Sequence, residues 1–199
     1  MTSSATTRPR RADARRNYDA LLAAGKALYA GGGVNIPFEE VARKAGVGQG
    51  TLYRHFPTRE HLFAAILSER VGLLDSQARD LLDCADVGQA LREWLDLYDR
   101  SVAEYRGLSV QLSEGLIDGE SPVAAACAPM RSSFAALLER AQTEGVVRPD
   151  ITAAKLLALV SSLPRDPAHG RAADPFLDLV INGLGPGCNS ARWPGVPSS

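Results

Sequence analysis

The apolar residues of this chain recur every three or four positions, with no convincing alternation anywhere, so what can bury them together is a set of packed helices. From Asp13 onward Tyr18, Leu21, Leu22, Ala24, Gly25 and Leu28 keep that spacing until Gly31, Gly32 and Gly33 end the run. Pro37 suits the opening of a second helix, with Glu39 and Glu40 in its first turn favouring the helix dipole, and this helix reaches about Ala45. A short third helix is expected over 49–55. A long fourth follows, with Thr58 as N-cap and Leu62, Phe63, Ile66, Val71, Leu74 and Leu81 on its apolar face, ending near Leu82.

Further helices are expected over 87–105, 107–116, 122–144, 152–163 and 174–184, separated by turn-forming stretches. The sequence therefore predicts an all-α fold of about nine helices. Its expected divisions are a disordered basic arm (1–12), a three-helix domain (13–57), a larger helical domain (58–184) and a disordered tail (185–199).

Charge is also unevenly spread along the chain. Residues 1–70 carry eleven Lys and Arg against six Asp and Glu, a balance of +5, whereas 71–199 are at −6 within an overall −1. A basic first part suits a polyanionic partner, and an acidic remainder should face away from it. Arg8, Arg10, Arg11, Arg15 and Arg16 give the arm a means of reaching a minor groove or phosphates.

Cys84, Cys127 and Cys188 are far apart and form no CxxC pair, so they suggest neither a disulfide framework nor a zinc site. No run of about twenty apolar residues and no signal-peptide pattern occurs. The expectation is a cytoplasmic protein with no membrane association, metal or cofactor.

Residues 38–56 have the internal logic of a helix-turn-helix. Ala42 stands where two helices cross and must be small, and Gly46, four residues on, can adopt the left-handed conformation of a tight turn. Val41, Ala45, Val47, Leu52 and Phe56 supply apolar faces that lock the pair. With Leu52 and Phe56 inward, Gln49, Gly50, Tyr53 and Arg54 fall on the outer face and Thr51 flanks it. Gln can pair with adenine, Arg with guanine and a Thr methyl with the thymine methyl. Gly50 permits close approach, while Tyr53, His55 and Arg59, beside Thr58, suit phosphate contacts.

The run from Ala42 to Leu62, above all Thr51-Leu-Tyr-Arg-His-Phe56 followed by Arg59-Glu60 and Leu62, resembles the signature of the tetracycline-repressor (TetR) family over about residues 13–70. The resemblance implies a two-domain, all-helical homodimer. Three N-terminal helices would bind double-stranded operator DNA, and a variable C-terminal domain would bind a small-molecule effector and the second subunit. It gives Gln49, Gly50, Thr51 and Arg54 base-reading places, and Tyr53, His55 and Arg59 phosphate-anchoring ones. Gly48 replaces the usual Ser or Thr cap and Arg59 the usual Lys, changes that retain an acceptable N-cap and the positive charge. Tyr105-Arg-Gly-Leu108 and Lys155-Leu-Leu-Ala-Leu-Val160 are similar to a C-terminal subfamily of actinobacterial regulators.

A single recognition helix offers little area, so two copies about one DNA turn apart, roughly 34 Å, are expected. The expected dimer seam is Leu156, Leu157, Val160 and Leu163 on one late helix with Phe176, Leu177, Val180, Ile181 and Leu184 on the next. An effector pocket is expected among Trp94, Tyr98, Tyr105, Leu112, Met130 and Phe134, which mix apolar bulk with polar tips. A constitutive architectural DNA-binding protein without ligand response is the alternative. Catalysis has little support: His55 and His61 belong to the motif, His169 stands in a Pro/Gly/Arg-rich loop, and there is no nucleophile elbow, Gly-rich phosphate loop or metal-ligand spacing.

Overall fold

In a computed structural model, residues 7–32, 36–103, 120–164 and 175–186 are described, and all their regular structure is helical. The eight helices are α1 (Thr7–Gly32), α2 (Phe38–Ala45), α3 (Gln49–His55), α4 (Arg59–Leu81), α5 (Val87–Ala103), α6 (Pro122–Thr143), α7 (Ala153–Ser161) and α8 (Pro175–Gly183). The helix expected over 107–116, with Leu112 and the nearby Tyr105, lies outside the described residues, as do residues 1–6 of the arm and 187–199 of the tail.

The first helix starts six residues ahead of Asp13, inside the stretch expected as a disordered arm. Arg and Ala are good helix formers, and Pro9 falls in the first turn, where the N–H it lacks would have no intrahelical acceptor. The basic residues of 8–16 therefore extend a helix whose later turns are anchored, Leu21 and Tyr29 being buried.

Helix α4 connects the two parts of the molecule. Its 23 residues would span about 35 Å at the α-helical rise. Its first half lies on α1, where a Cβ built on Gly25 would stand 3.0 Å from Ile66 and 3.2 Å from Leu62, so the two helices approach as closely as glycine allows. Tyr29 meets Phe63 edge-on at 4.7 Å, and Lys26 pairs with Glu69 at 3.0 Å. The second half of α4 belongs to the larger domain. There the Trp94 indole N–H donates to the Leu74 carbonyl at 2.9 Å, and Arg140 of α6 donates to the Leu82 carbonyl just past the helix end.

Helix α6 packs extensively on α4 and carries Phe134, Leu137 and Leu138 into the core. It is capped by Ser121, whose hydroxyl accepts from the Ala124 N–H at 3.0 Å, and contains Pro129 on its exposed side. Thr152 caps α7 in the same way. Helix α8 is tied to α5 by the Arg92–Asp178 ion pair, and to the segment after α6 by the Arg148 N–H bonded to the Leu184 carbonyl at 2.9 Å.

The residues expected at a dimer seam divide between two directions. Leu156, Leu157, Val160, Leu177 and Leu184 are buried within the single chain, and Leu163, Val180 and Ile181 are half-buried. The apolar surface that α7 and α8 present to solvent is Phe176, one of the expected seam residues, together with Leu159 and Leu179, of which Leu179 is the most exposed at 71%. Both helices are apolar on more than one face, so their spacing alone does not say which face turns inward.

Candidate nucleic-acid interface

The turn between α2 and α3 is built by main-chain geometry. Gly46 takes φ +69°, its N–H reaches the Arg43 carbonyl at 3.3 Å, and the Val47 N–H reaches the Ala42 carbonyl at 3.1 Å. These are the two bonds of a Schellman motif, which needs a left-handed residue at this point. Ala42 and Val41 are buried beneath the turn. Gly48 then caps α3 in extended conformation without a side-chain acceptor, while its carbonyl receives the Thr51 N–H at 2.9 Å.

Only seven residues long, α3 is fixed chiefly by two side chains. Leu52 is fully buried, and Phe56, which follows the last turn, packs on Tyr18 of α1 at 5.2 Å. Tyr18 also meets the His55 ring edge-on at 6.0 Å. With that side held, Gln49, Gly50, Tyr53 and Arg54 are exposed, and Thr51 and His55 are half-buried beside them. Gly50 has no neighbour within 4 Å of the position a Cβ would take, so nothing within the chain requires a glycine there. An exposed glycine inside a helix costs about 0.5–1 kcal/mol against alanine.

At the start of α4 the Thr58 hydroxyl accepts from the His61 N–H at 3.4 Å, and its oxygen lies 2.8 Å from His61 Nδ1. Arg59 follows, half-buried and near Glu39. Helix N-termini of this kind favour negative charge.

One contact on this surface escaped the sequence reading. The Tyr53 hydroxyl donates to Glu39 Oε1 at 2.7 Å, and the Tyr53 ring stands edge-on to Phe38 at 5.5 Å. Glu39 had suggested only a dipole effect in the first turn of α2. A carboxylate fourteen positions before a tyrosine gives no local periodic signal, and the tight turn alone brings them together. The hydroxyl is the main cause that holds the Glu39 carboxyl below the ordinary carboxylate range, and the same bond raises Tyr53.

In the larger domain Trp94, Tyr98, Met130 and Phe134 come together, but as packed side chains. Trp94 stacks on Phe134 at 4.2 Å and on Tyr98 at 5.4 Å, and all four residues are buried. The polar tips expected to meet a ligand are donated to main-chain carbonyls, that of Trp94 to Leu74 and that of Tyr98 to Leu157 at 3.4 Å. Among the described residues no group of three or more His, Cys, Asp or Glu side chains could hold a metal ion, and no helix is long and apolar enough to cross a membrane.

Residues 21–66 match the family model described as bacterial regulatory proteins, tetR family, and residues 86–186 match that of the transcriptional regulator SbtR-like C-terminal domain. The chain is similar to a TetR transcriptional regulator from Streptomyces coelicolor at 32% identity, covering 85% of this chain and 98% of that one with a TM-score of 0.53. A TetR regulatory protein from Mycobacterium vanbaalenii is 34% identical over 88% of this chain and 98% of its own, with a TM-score of 0.50. A TetR regulator from Rhodococcus sp. RHA1, at 24% identity, 85% and 93% coverage and a TM-score of 0.52, shares the fold. No curated protein matches the chain.

Proposed function

Because the chain belongs to the TetR family of bacterial regulatory proteins and is a DNA-binding transcriptional regulator, we propose that it represses transcription from a palindromic operator, which it binds as a homodimer and leaves when a small-molecule effector binds. The observation that carries the reading is the outer face of α3. Gln49, Gly50, Thr51 and Arg54 project beside one another from a helix held by Leu52 and Phe56, and Gly50 serves no internal purpose. Gln49, Thr51 and Arg54 read base edges, while His55, Thr58 and Arg59 anchor the phosphates on either side.

The second subunit docks on the exposed apolar surface of α7 and α8 formed by Leu159, Phe176 and Leu179. A lone copy buries too little DNA surface for tight specific binding, and pairing sets two recognition helices about 34 Å apart. The effector acts through α4. An effector entering among α4, α5 and α6 has to displace the Trp94–Phe134 stack, and Trp94 is bonded to the α4 main chain at Leu74. Movement there reaches Leu62 and Ile66, against Gly25, and changes the separation of the recognition helices. The effector must favour the non-binding arrangement by about 5.5 kcal/mol to reverse a 1:99 population.

A regulator without effector response is the second reading, favoured by the dense packing of Trp94, Tyr98, Met130 and Phe134 and by the internal use of the two polar tips. One experiment separates the claims. The wild-type chain selects duplexes from a randomised DNA pool, and affinity for the selected duplex is then measured for wild type, Arg54→Ala and Leu159→Asp/Leu179→Asp. Expected are enrichment of a palindrome, loss of about 1–3 kcal/mol of base discrimination for Arg54→Ala, and monomers by light scattering for the double variant. An unselective pool sinks the operator reading, and an unaltered dimer sinks the proposed seam. If no member of a metabolite library releases the selected duplex, the non-responsive reading stands.

A further inference from the structure

The Tyr53 hydroxyl has one proton, and in this structure it is donated to Glu39. What remains on the outer surface of the pair is a phenolic oxygen with lone pairs and a carboxylate, both of which can only accept. Both residues are exposed, beside the exposed Gln49, Gly50 and Arg54 of α3. A phosphate is itself an acceptor and is anionic, so it finds no hydrogen bond here and meets a like charge. The place expected to anchor the DNA backbone through Tyr53 is chemically unsuited to it while the bond to Glu39 persists.

The position is held, not incidental. The Tyr53 ring stands edge-on against the buried Phe38, which fixes the direction of the C–O bond, and the hydroxyl meets Oε1 at 2.7 Å. The Tyr53 hydroxyl is the main cause that holds the Glu39 carboxyl low, and the positive charge of Arg59 adds to it. The pair is a preset acceptor surface between the first turn of α2 and the last turn of α3.

The major groove offers few groups that can donate to such a surface. Guanine shows acceptors at N7 and O6, thymine an acceptor and a methyl, and adenine an amino group beside the N7 acceptor. Cytosine shows its N4 amino group without an adjacent acceptor on the same base, and carboxylate side chains accept from it. We infer that Glu39 and Tyr53 together form a specificity-determining pair that reads the N4 amino group of one cytosine in each operator half-site, with Glu39 positioning Tyr53 as an acceptor. The inference rests on the operator reading above, and it moves Tyr53 from backbone anchoring to base recognition.

The test uses the full chain and a randomised double-stranded DNA pool, selected in parallel by wild type, Glu39→Gln and Tyr53→Phe. Single-base variants of the wild-type consensus duplex are then titrated by fluorescence anisotropy at several salt concentrations. Expected is one cytosine, repeated by symmetry in the second half-site, at which each substitution lowers discrimination about tenfold, with preferences elsewhere and the salt slope unchanged. Both side chains are exposed, and matching thermal melts establish that the variants are folded. Two results overturn the inference. In one, Glu39→Gln tightens all duplexes by a common factor, as it would if the carboxylate only repelled the backbone. In the other, Tyr53→Phe weakens all duplexes equally, as expected of a phosphate donor. Failure of the wild type to enrich any palindrome counts instead against the operator reading.

Discussion

Helices α3 and α6 show what the two parts of the molecule ask of their residues. Of the seven residues of α3 only Leu52 is buried, whereas the 22 residues of α6 bury nine, among them Met130, Phe134, Leu137 and Leu138. A seven-residue helix has no stability of its own in water. It exists here because a left-handed Gly46 aims it and Leu52 and Phe56 pin it, which leaves the other positions exposed or half-buried. Each buried position of α6 answers to neighbours in the core. Free surface is therefore offered where burial is least, and stability is concentrated where it is greatest.

Substitutions can widen or abolish that contrast. Phe134→Ala should have the largest effect, a loss of about 3–5 kcal/mol seen as a lower urea midpoint by far-UV circular dichroism, because a fully buried ring is removed and Trp94 loses the nearer of its two stacking partners. Leu52→Ala should cost about 2–5 kcal/mol, confined to the first domain. DNA binding should disappear while the near-UV signal of the Trp94 cluster melts as in the wild type. A common melt lowered as far as in Phe134→Ala would show that the two parts do not unfold separately.

Of the motif's three glycines, Gly46 and Gly50 should move in opposite directions. At Gly46 there is room for a methyl group, but φ is +69°, so Gly46→Ala should destabilise by about 1–2 kcal/mol from backbone strain alone. Gly50→Ala should stabilise by about 0.5–1 kcal/mol and still weaken binding to the selected duplex. An alanine at position 50 that left affinity intact would mean DNA does not approach α3 that closely.

The helix-turn-helix was legible because its determinants are local: a small residue at the crossing, a glycine four positions later and apolar residues one turn apart. The all-helical fold was legible for the same reason. What the sequence left hidden depends on contacts between distant segments. The donors of Trp94 and Tyr98 are satisfied by carbonyls 20 and 59 positions away, and no spacing rule reveals that a polar tip is already taken. Glu39 and Tyr53 meet only because the turn folds one helix over the other. On α7 and α8 the apolar residues were recognisable, but their division between core and surface followed from packing. Leu156 and Val160 went inward, and Leu159 outward.

Helix α4 has a consequence for exchanging C-terminal domains between relatives. The boundary between the two parts is not a loop that can be cut and rejoined at will; it runs through a continuous helix, in the stretch between Ile66, beneath Gly25, and Leu74, whose carbonyl receives Trp94. A chimera joined there inherits a phase relation. Adding or removing one residue turns everything beyond the junction by about 100° and shifts it by about 1.5 Å, so the replacement domain arrives intact but pointing elsewhere. Joints that preserve the helical phase are the ones that keep a borrowed C-terminal domain in register with the first three helices.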